Sequence, residues 1–147
     1  MRPAPLLKLT ALFLLSTLLA GANVWAESSK LVVNLEGIKD ATGNLRATLY
    51  RESDAFRKED KAFKLVSLPA SKGTVKLVFA ELPPSRYAVM AYHDEDSDQK
   101  LKLRFGMFPL EGYGLSNNPK VSGPPKFADS AFEVAGAETS INIKLNY

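Results

Sequence analysis

The only histidine of the chain, His93, runs directly into four carboxylates, Asp94, Glu95, Asp96 and Asp98. Like charges at that density repel one another unless water, a lysine or a metal ion offsets them, so the segment from Tyr92 to Asp98 is either a solvated loop or a cation site. Asp94, Asp96 and Asp98 stand at alternate positions, the spacing by which calcium loops direct several carboxylates at one ion. An EF-hand is excluded, because its sixth and twelfth positions, glycine and glutamate, are Gln99 and Phe105 when counted from Asp94. One histidine and no cysteine leave zinc short of its usual ligands. Glu95 and the more distant Glu111 are further oxygen donors for a looser calcium loop. The competing arrangement is a hydrogen-bonded turn that holds no ion and is neutralised by Lys100 and Lys102.

Beside these charges, His93 can orient or be oriented by a carboxylate. The catalytic arrangement these residues allow is a hydrolase with Ser116 as nucleophile, His93 as base and Asp94 or Asp96 as orienting group. No Gly-x-Ser-x-Gly elbow surrounds Ser116, and nothing in the spacing brings it to His93. The chain is therefore expected not to be an enzyme, and His93 to be an anchor. Glu111 to Asn118 combines glycines, an aromatic and amides, a mixture that suits a binding loop and equally a structural loop in which Tyr113 packs and the asparagines cap turns. The ligand-binding set expected is His93, Glu95, Glu111, Tyr113 and Asn117; the calcium set is Asp94, Asp96 and Asp98.

Strands must position these residues. Leu31, Val33 and Leu35 alternate with Val32, Asn34 and Glu36, and Leu45, Ala47 and Leu49 alternate with Asn44, Arg46 and Thr48, so each segment reads as a strand with one buried face. Asp40 to Asn44 supplies turn residues between them, which predicts a hairpin. Further strands are expected at 63–68, 74–79, 87–93, 131–134 and 140–147. One or two helical turns are expected over 53–61, with Ser53 as N-cap. Seven short strands without a long helical period predict an all-β, antiparallel β-sandwich. Between Asp94 and Asp129 about 35 residues lack strand patterning, and Phe105, Phe108, Tyr113 and Phe127 give them apolar surface to pack, so they predict a folded cap over one end.

Arg2 and Lys8, the apolar run Leu9 to Ala20 and the small-residue site Val24-Trp25-Ala26 predict a signal peptide over 1–26 and one domain over 27–147. The run is short of the roughly 20 residues a membrane span needs, and Ala22 stands where a lipoprotein would carry its acylated cysteine. No stable membrane anchor is expected, and the protein should be periplasmic or secreted. Arg2 and Lys8 are two of 19 basic residues, so residues 27–147 carry 17 basic against 16 acidic, a net +1. That balance gives no electrostatic footprint for nucleic acid. Without cysteine, stability must come from an ordinary core, which 121 residues suffice to build.

Phe79 to Val89, with its Leu82-Pro83-Pro84-Ser85-Arg86-Tyr87 turn, resembles the turn-and-strand element of transthyretin-like sandwiches. Joined to His93-Asp94-Glu95-Asp96, Gly106-Met107-Phe108-Pro109 and Glu111 to Asn118, it resembles the bacterial exported family known as domain of unknown function 2141. The resemblance implies a transthyretin-like fold and no particular activity. Ser85 and Gln99 stand where the family usually has glycine, and Lys102 where it often has aspartate. The expected function is a non-catalytic binding or interaction module for an envelope or extracellular ligand, whether carbohydrate, peptide, small molecule or protein. A calcium-stabilised structural protein and a small envelope hydrolase are the alternatives.

Overall fold

The computed structural model describes residues 28–120 and 122–147; the expected signal segment, 1–26, lies outside the described residues. Strands form in all seven segments where they are expected and in three shorter ones within the cap. In chain order they are β1 (Ser29–Ile38), β2 (Asn44–Arg51), β3 (Lys64–Pro69), β4 (Gly73–Leu82), β5 (Ser85–Asp94), β6 (Leu103–Arg104), β7 (Phe108–Pro109), β8 (Tyr113–Leu115), β9 (Phe132–Val134) and β10 (Glu138–Lys144). The fold is mostly β, with a single α-helical turn, α1 (Phe127–Ser130), among the described residues.

Two sheets share one core. The first has the order β10-β1-β4; the second runs β3-β2-β5, with β8 and β9 side by side along the far edge of β5. Leu31, Val33 and Leu35 of β1, Leu77 and Phe79 of β4 and Ile143 of β10 meet Leu45, Ala47, Leu49, Val89 and Ala91 from the second sheet in a single buried cluster. The other face of β5 is covered as well: Met90 and Tyr92 lie in a second cluster with Tyr50 and Leu115, flanked by Phe56, Leu101, Tyr113 and Phe127. Every residue of β5 from Tyr87 to Asp94 is consequently buried, which explains its unbroken apolar run.

Three expectations need correction. β1 and β2 do not form a hairpin: β1 pairs with β4 and β10, whereas β2 pairs with β3 and β5. Their apolar stripes face the same core from opposite sheets, and residues 39–43 carry the chain across between them. The architecture is not wholly antiparallel, since β10 runs parallel to β1 from Lys30↔Glu138 to Glu36↔Lys144. The helical turns expected from Ser53 reduce to a 3-10 turn at Glu59–Lys61, whose preceding residue is Lys58. The Asp54 carboxylate accepts the Arg51 backbone N–H at 2.7 Å, a local bond that competes with helix.

At the turn before β5, Ser85 does not take the left-handed conformation that glycine favours; Glu81 does, at φ 54°. Tyr87 then donates its hydroxyl back to the Pro83 carbonyl at 2.8 Å, fixing the turn. At the opposite end, Tyr113 and Asn146 exchange backbone hydrogen bonds at 2.9 and 3.0 Å, tying the second sheet to the end of β10. Gly114 makes that approach possible, since a Cβ there would lie 2.5 Å from the Lys144 carbonyl oxygen and 2.7 Å from Ile143 Cγ2. Gly114→Ala is expected to lower unfolding free energy by about 1–3 kcal/mol through overpacking, measured by chemical denaturation; unchanged stability would show that the two strands can part at no cost.

Candidate functional site

Asp94 ends β5 fully buried, and both its oxygens are engaged: Oδ1 accepts the Asp98 N–H at 3.1 Å and Oδ2 the Gln99 N–H at 3.0 Å. Glu111, 4% exposed, accepts the Glu95 N–H at 3.0 Å with Oε1 and the Lys102 N–H at 3.0 Å with Oε2. Two buried carboxylates thus close the loop from 95 to 102, one from inside and one across its base. Asp96 is exposed and binds the Lys102 ammonium. That hydrogen bond holds the Asp96 carboxyl below its usual range, and raises the Lys102 pKa with help from Asp98 and Glu111.

Oxygens of Asp94, Asp96 and Glu111 lie within 4.8 Å of one another. Of the expected calcium set, the structure brings Asp94 and Asp96 together and supplies Glu111 in place of Asp98. Asp98 turns to accept the Lys100 N–H at 2.8 Å. Gln99 sits at φ 63°, a left-handed conformation that glycine adopts without cost. Gly43, at φ 66°, lies under the same loop: a Cβ there would fall 2.0 Å from the Asp94 carbonyl oxygen.

His93 has no exposed surface. Its Nε2 lies 2.5 Å from the Thr42 carbonyl oxygen and its Nδ1 2.8 Å from the Tyr147 hydroxyl. A carbonyl only accepts, so Nε2 carries the proton, and in the neutral ring Nδ1 accepts from Tyr147. The Tyr147 oxygen in turn accepts the Lys39 N–H at 3.2 Å. The Lys39 ammonium stands 4.9 Å from the Tyr147 ring centroid and 2.7 Å from the Glu95 carboxylate. Histidine, crossing loop, C-terminal residue and acidic loop therefore form one network with both ring nitrogens occupied.

Ser116 is buried; its hydroxyl reaches the Ser130 carbonyl at 2.5 Å and accepts the Val89 N–H at 2.9 Å. No hydrogen bond joins it to His93 among the described residues. Asn117 and Asn118 both have positive φ. Asn117 donates to the Ala131 carbonyl at 2.9 Å, and Asn118 accepts the Lys144 N–H at 2.8 Å, so both amides fasten their loop to neighbouring elements. Tyr113 pairs with Tyr92 across β5 and β8, one position from His93 but on the opposite face of the sheet. The five expected ligand residues thus divide: His93, Glu95 and Glu111 hold the network around the loop, Asn117 holds its own turn, and Tyr113 lines a cavity.

That cavity, about 660 Å³, is the feature sequence reasoning missed. Met90, Tyr92 and Tyr113 line it from the second sheet; Leu101 lines it from the acidic loop, and Leu103, Met107, Phe108 and Pro109 from the hairpin formed by β6 and β7. Arg57, Glu59 and Lys100 contribute charge. The Glu59 carboxylate is taken by Arg46 and, at 2.9 Å, by the Tyr92 hydroxyl. Burial pushes the Tyr113 phenol up while the nearby Arg57 pulls it down; burial pushes Tyr50 up to about 12. The available signal was the unbroken apolar run of β5 from Tyr87 to Tyr92, which puts apolar side chains on both faces and so requires a second layer over Met90 and Tyr92.

A family model described as an uncharacterized protein conserved in bacteria, DUF2141, matches residues 33–142. The chain belongs to this family. The match runs from β1 into β10, so the acidic loop and the cavity both lie inside the region that defines DUF2141. No curated protein and no solved structure matches the chain.

The two-point grip of Glu111 predicts the effect of an isosteric change. Glu111→Gln places an amide N–H₂ against one backbone donor, and should cost about 1–3 kcal/mol of stability while speeding amide exchange at Glu95 or Lys102. Hydrogen exchange with denaturant titration checks both; wild-type protection at both amides would refute the clamp.

Proposed function

We propose that the protein is an exported, non-catalytic binding module of transthyretin-like sandwich architecture, whose ligand seats in the cavity over the outer face of the second sheet. One observation carries the reading: the cap packs onto that face yet leaves about 660 Å³ unfilled, within the size range of small-molecule sites. The non-catalytic part is supported by His93, which is buried with both ring nitrogens engaged, and by Ser116, whose hydroxyl serves backbone groups. Export to the periplasm or beyond rests on the pattern of residues 1–26. A neutral apolar dye, N-phenyl-1-naphthylamine, is expected to bind the folded protein saturably. Leu103→Trp, which crowds the mouth, should weaken it about tenfold, or ~1.4 kcal/mol. Absence of saturable binding would end the reading.

Calcium stabilisation is a second reading, favoured by the convergence of Asp94, Asp96 and Glu111. In it the ion displaces the Lys102 ammonium from Asp96, so Lys102→Ala should respond more strongly than wild type. Millimolar calcium is expected to raise Tm by a few degrees, reversibly with chelator. A flat response in both proteins would leave the loop as a lysine-neutralised turn.

A further inference from the structure

We infer that the cavity ligand is an anionic amphiphile, with an apolar body lying against Met90 and the β6–β7 hairpin and an acidic head held by Arg57 and Lys100. The inference rests on the cavity reading above and adds the chemistry of the ligand. Three charged residues line the cavity. Glu59 is neutralised where it stands, by the Arg46 guanidinium and the Tyr92 hydroxyl. Among the described residues, Arg57 and Lys100 have no acidic partner within ion-pair distance, whereas the neighbouring Lys102 has Asp96. The unbalanced charge facing the space is positive, and an anion entering it meets two cations beside apolar walls.

The backbone that carries Arg57 is held in place. Arg57 follows Phe56, whose ring packs edge-on against Tyr50 at 5.3 Å and Phe127 at 6.0 Å. Its own backbone is left-handed, at φ 68°, a conformation unfavourable for arginine and found more often where function sets the geometry. The Tyr113 phenol, whose pKa responds to Arg57, offers a neutral donor to the same head group.

The apolar body is called for by the hairpin. Leu103, Met107 and Phe108, which line the cavity, are 44%, 67% and 60% exposed. The hairpin is joined by two residue pairs, Leu103↔Pro109 and Arg104↔Phe108. Short-laddered apolar residues over an apolar cavity gain burial by closing on a chain or ring placed between them and Met90.

Calorimetry on the full chain at low ionic strength, with decanoate, decyl phosphate, decanol and acetate as probes, tests the assignment. Decanoate or decyl phosphate should bind at least tenfold tighter than decanol, and acetate not measurably. The stronger of the two anions tells a carboxylate ligand from a phosphate one. Arg57→Gln with Lys100→Gln should erase the preference while leaving decanol binding in place, which also shows that the variant is folded. Equal affinity for decanol and both anions, or a preference that survives the double variant, overturns the anionic assignment and leaves the cavity reading standing. Failure of every ten-carbon probe to bind overturns both.

Discussion

A strand that is buried on both faces needs a second covering layer, and β5 is such a strand. Its inward residues, Val89 and Ala91, belong to the core between the sheets, and its outward residues, Met90 and Tyr92, belong to a second apolar cluster. Burying a side chain of that size is worth about 1.5–3 kcal/mol, so covering Met90 and Tyr92 is a substantial part of the stability of a domain this small. The cover comes from the segment after Asp94, which has little regular structure to satisfy its own backbone. Its polar pins follow from that requirement.

Asp94 and Glu111 are those pins. Each is a carboxylate withdrawn from water and repaid by two backbone N–H donors at 3.0 to 3.1 Å, the condition under which a buried charge is tolerated. Of the other acids in the run, Asp96 meets Lys102, Glu95 meets Lys39, and Asp98 accepts the Lys100 N–H. An acidic run that looks self-repelling in one dimension is thus resolved in space into one buried acceptor, two ion pairs and one exposed acceptor of a backbone amide, with Glu111 closing the loop from outside the run. The exposed pairs are individually weak, so the loop's shape depends on the buried acceptors. The same division limits a metal, because an ion would compete with backbone amides for Asp94 and Glu111 and with an ammonium for Asp96.

The sequence revealed faces far better than partners. Period-two alternation located the half-buried strands, such as β1 and β2, because a half-buried strand must alternate whatever it pairs with. It placed Leu31 and Leu45 on buried faces correctly, yet an alternating pair joined by a turn-rich segment looks the same whether it closes a hairpin or crosses between sheets. The sequence suggested a hydrogen-bonded His93 anchoring the cap beside carboxylates, whereas its ring is bound by Thr42 and Tyr147, 51 and 54 residues away, which carried no local signal. Asp98, expected beside Asp94 and Asp96, lies outside the group of converging oxygens, because alternate spacing describes an extended loop. Here Ser97 and Gln99 are left-handed, and the chain turns back so that Glu111 takes the third position. The cavity was least legible, being a property of what the cap fails to fill.

That failure has a physical source in the cap itself. Gln99 and Phe105 at its bends are non-glycine residues at positive φ, at 63° and 54°, and Pro109, Pro124 and Pro125 stiffen the walls. A flexible cap of the same composition would collapse onto Met90 and Tyr92, because apolar contact is gained at every step. One whose turns are fixed by backbone geometry, and whose base is clamped by Glu111, is held off the sheet. The bend at Gln99 lies inside the loop that Glu111 clamps at Glu95 and Lys102, and the hairpin that walls the cavity begins at Leu103, the residue after the clamp, so the acidic loop and the cavity are adjoining parts of one cap.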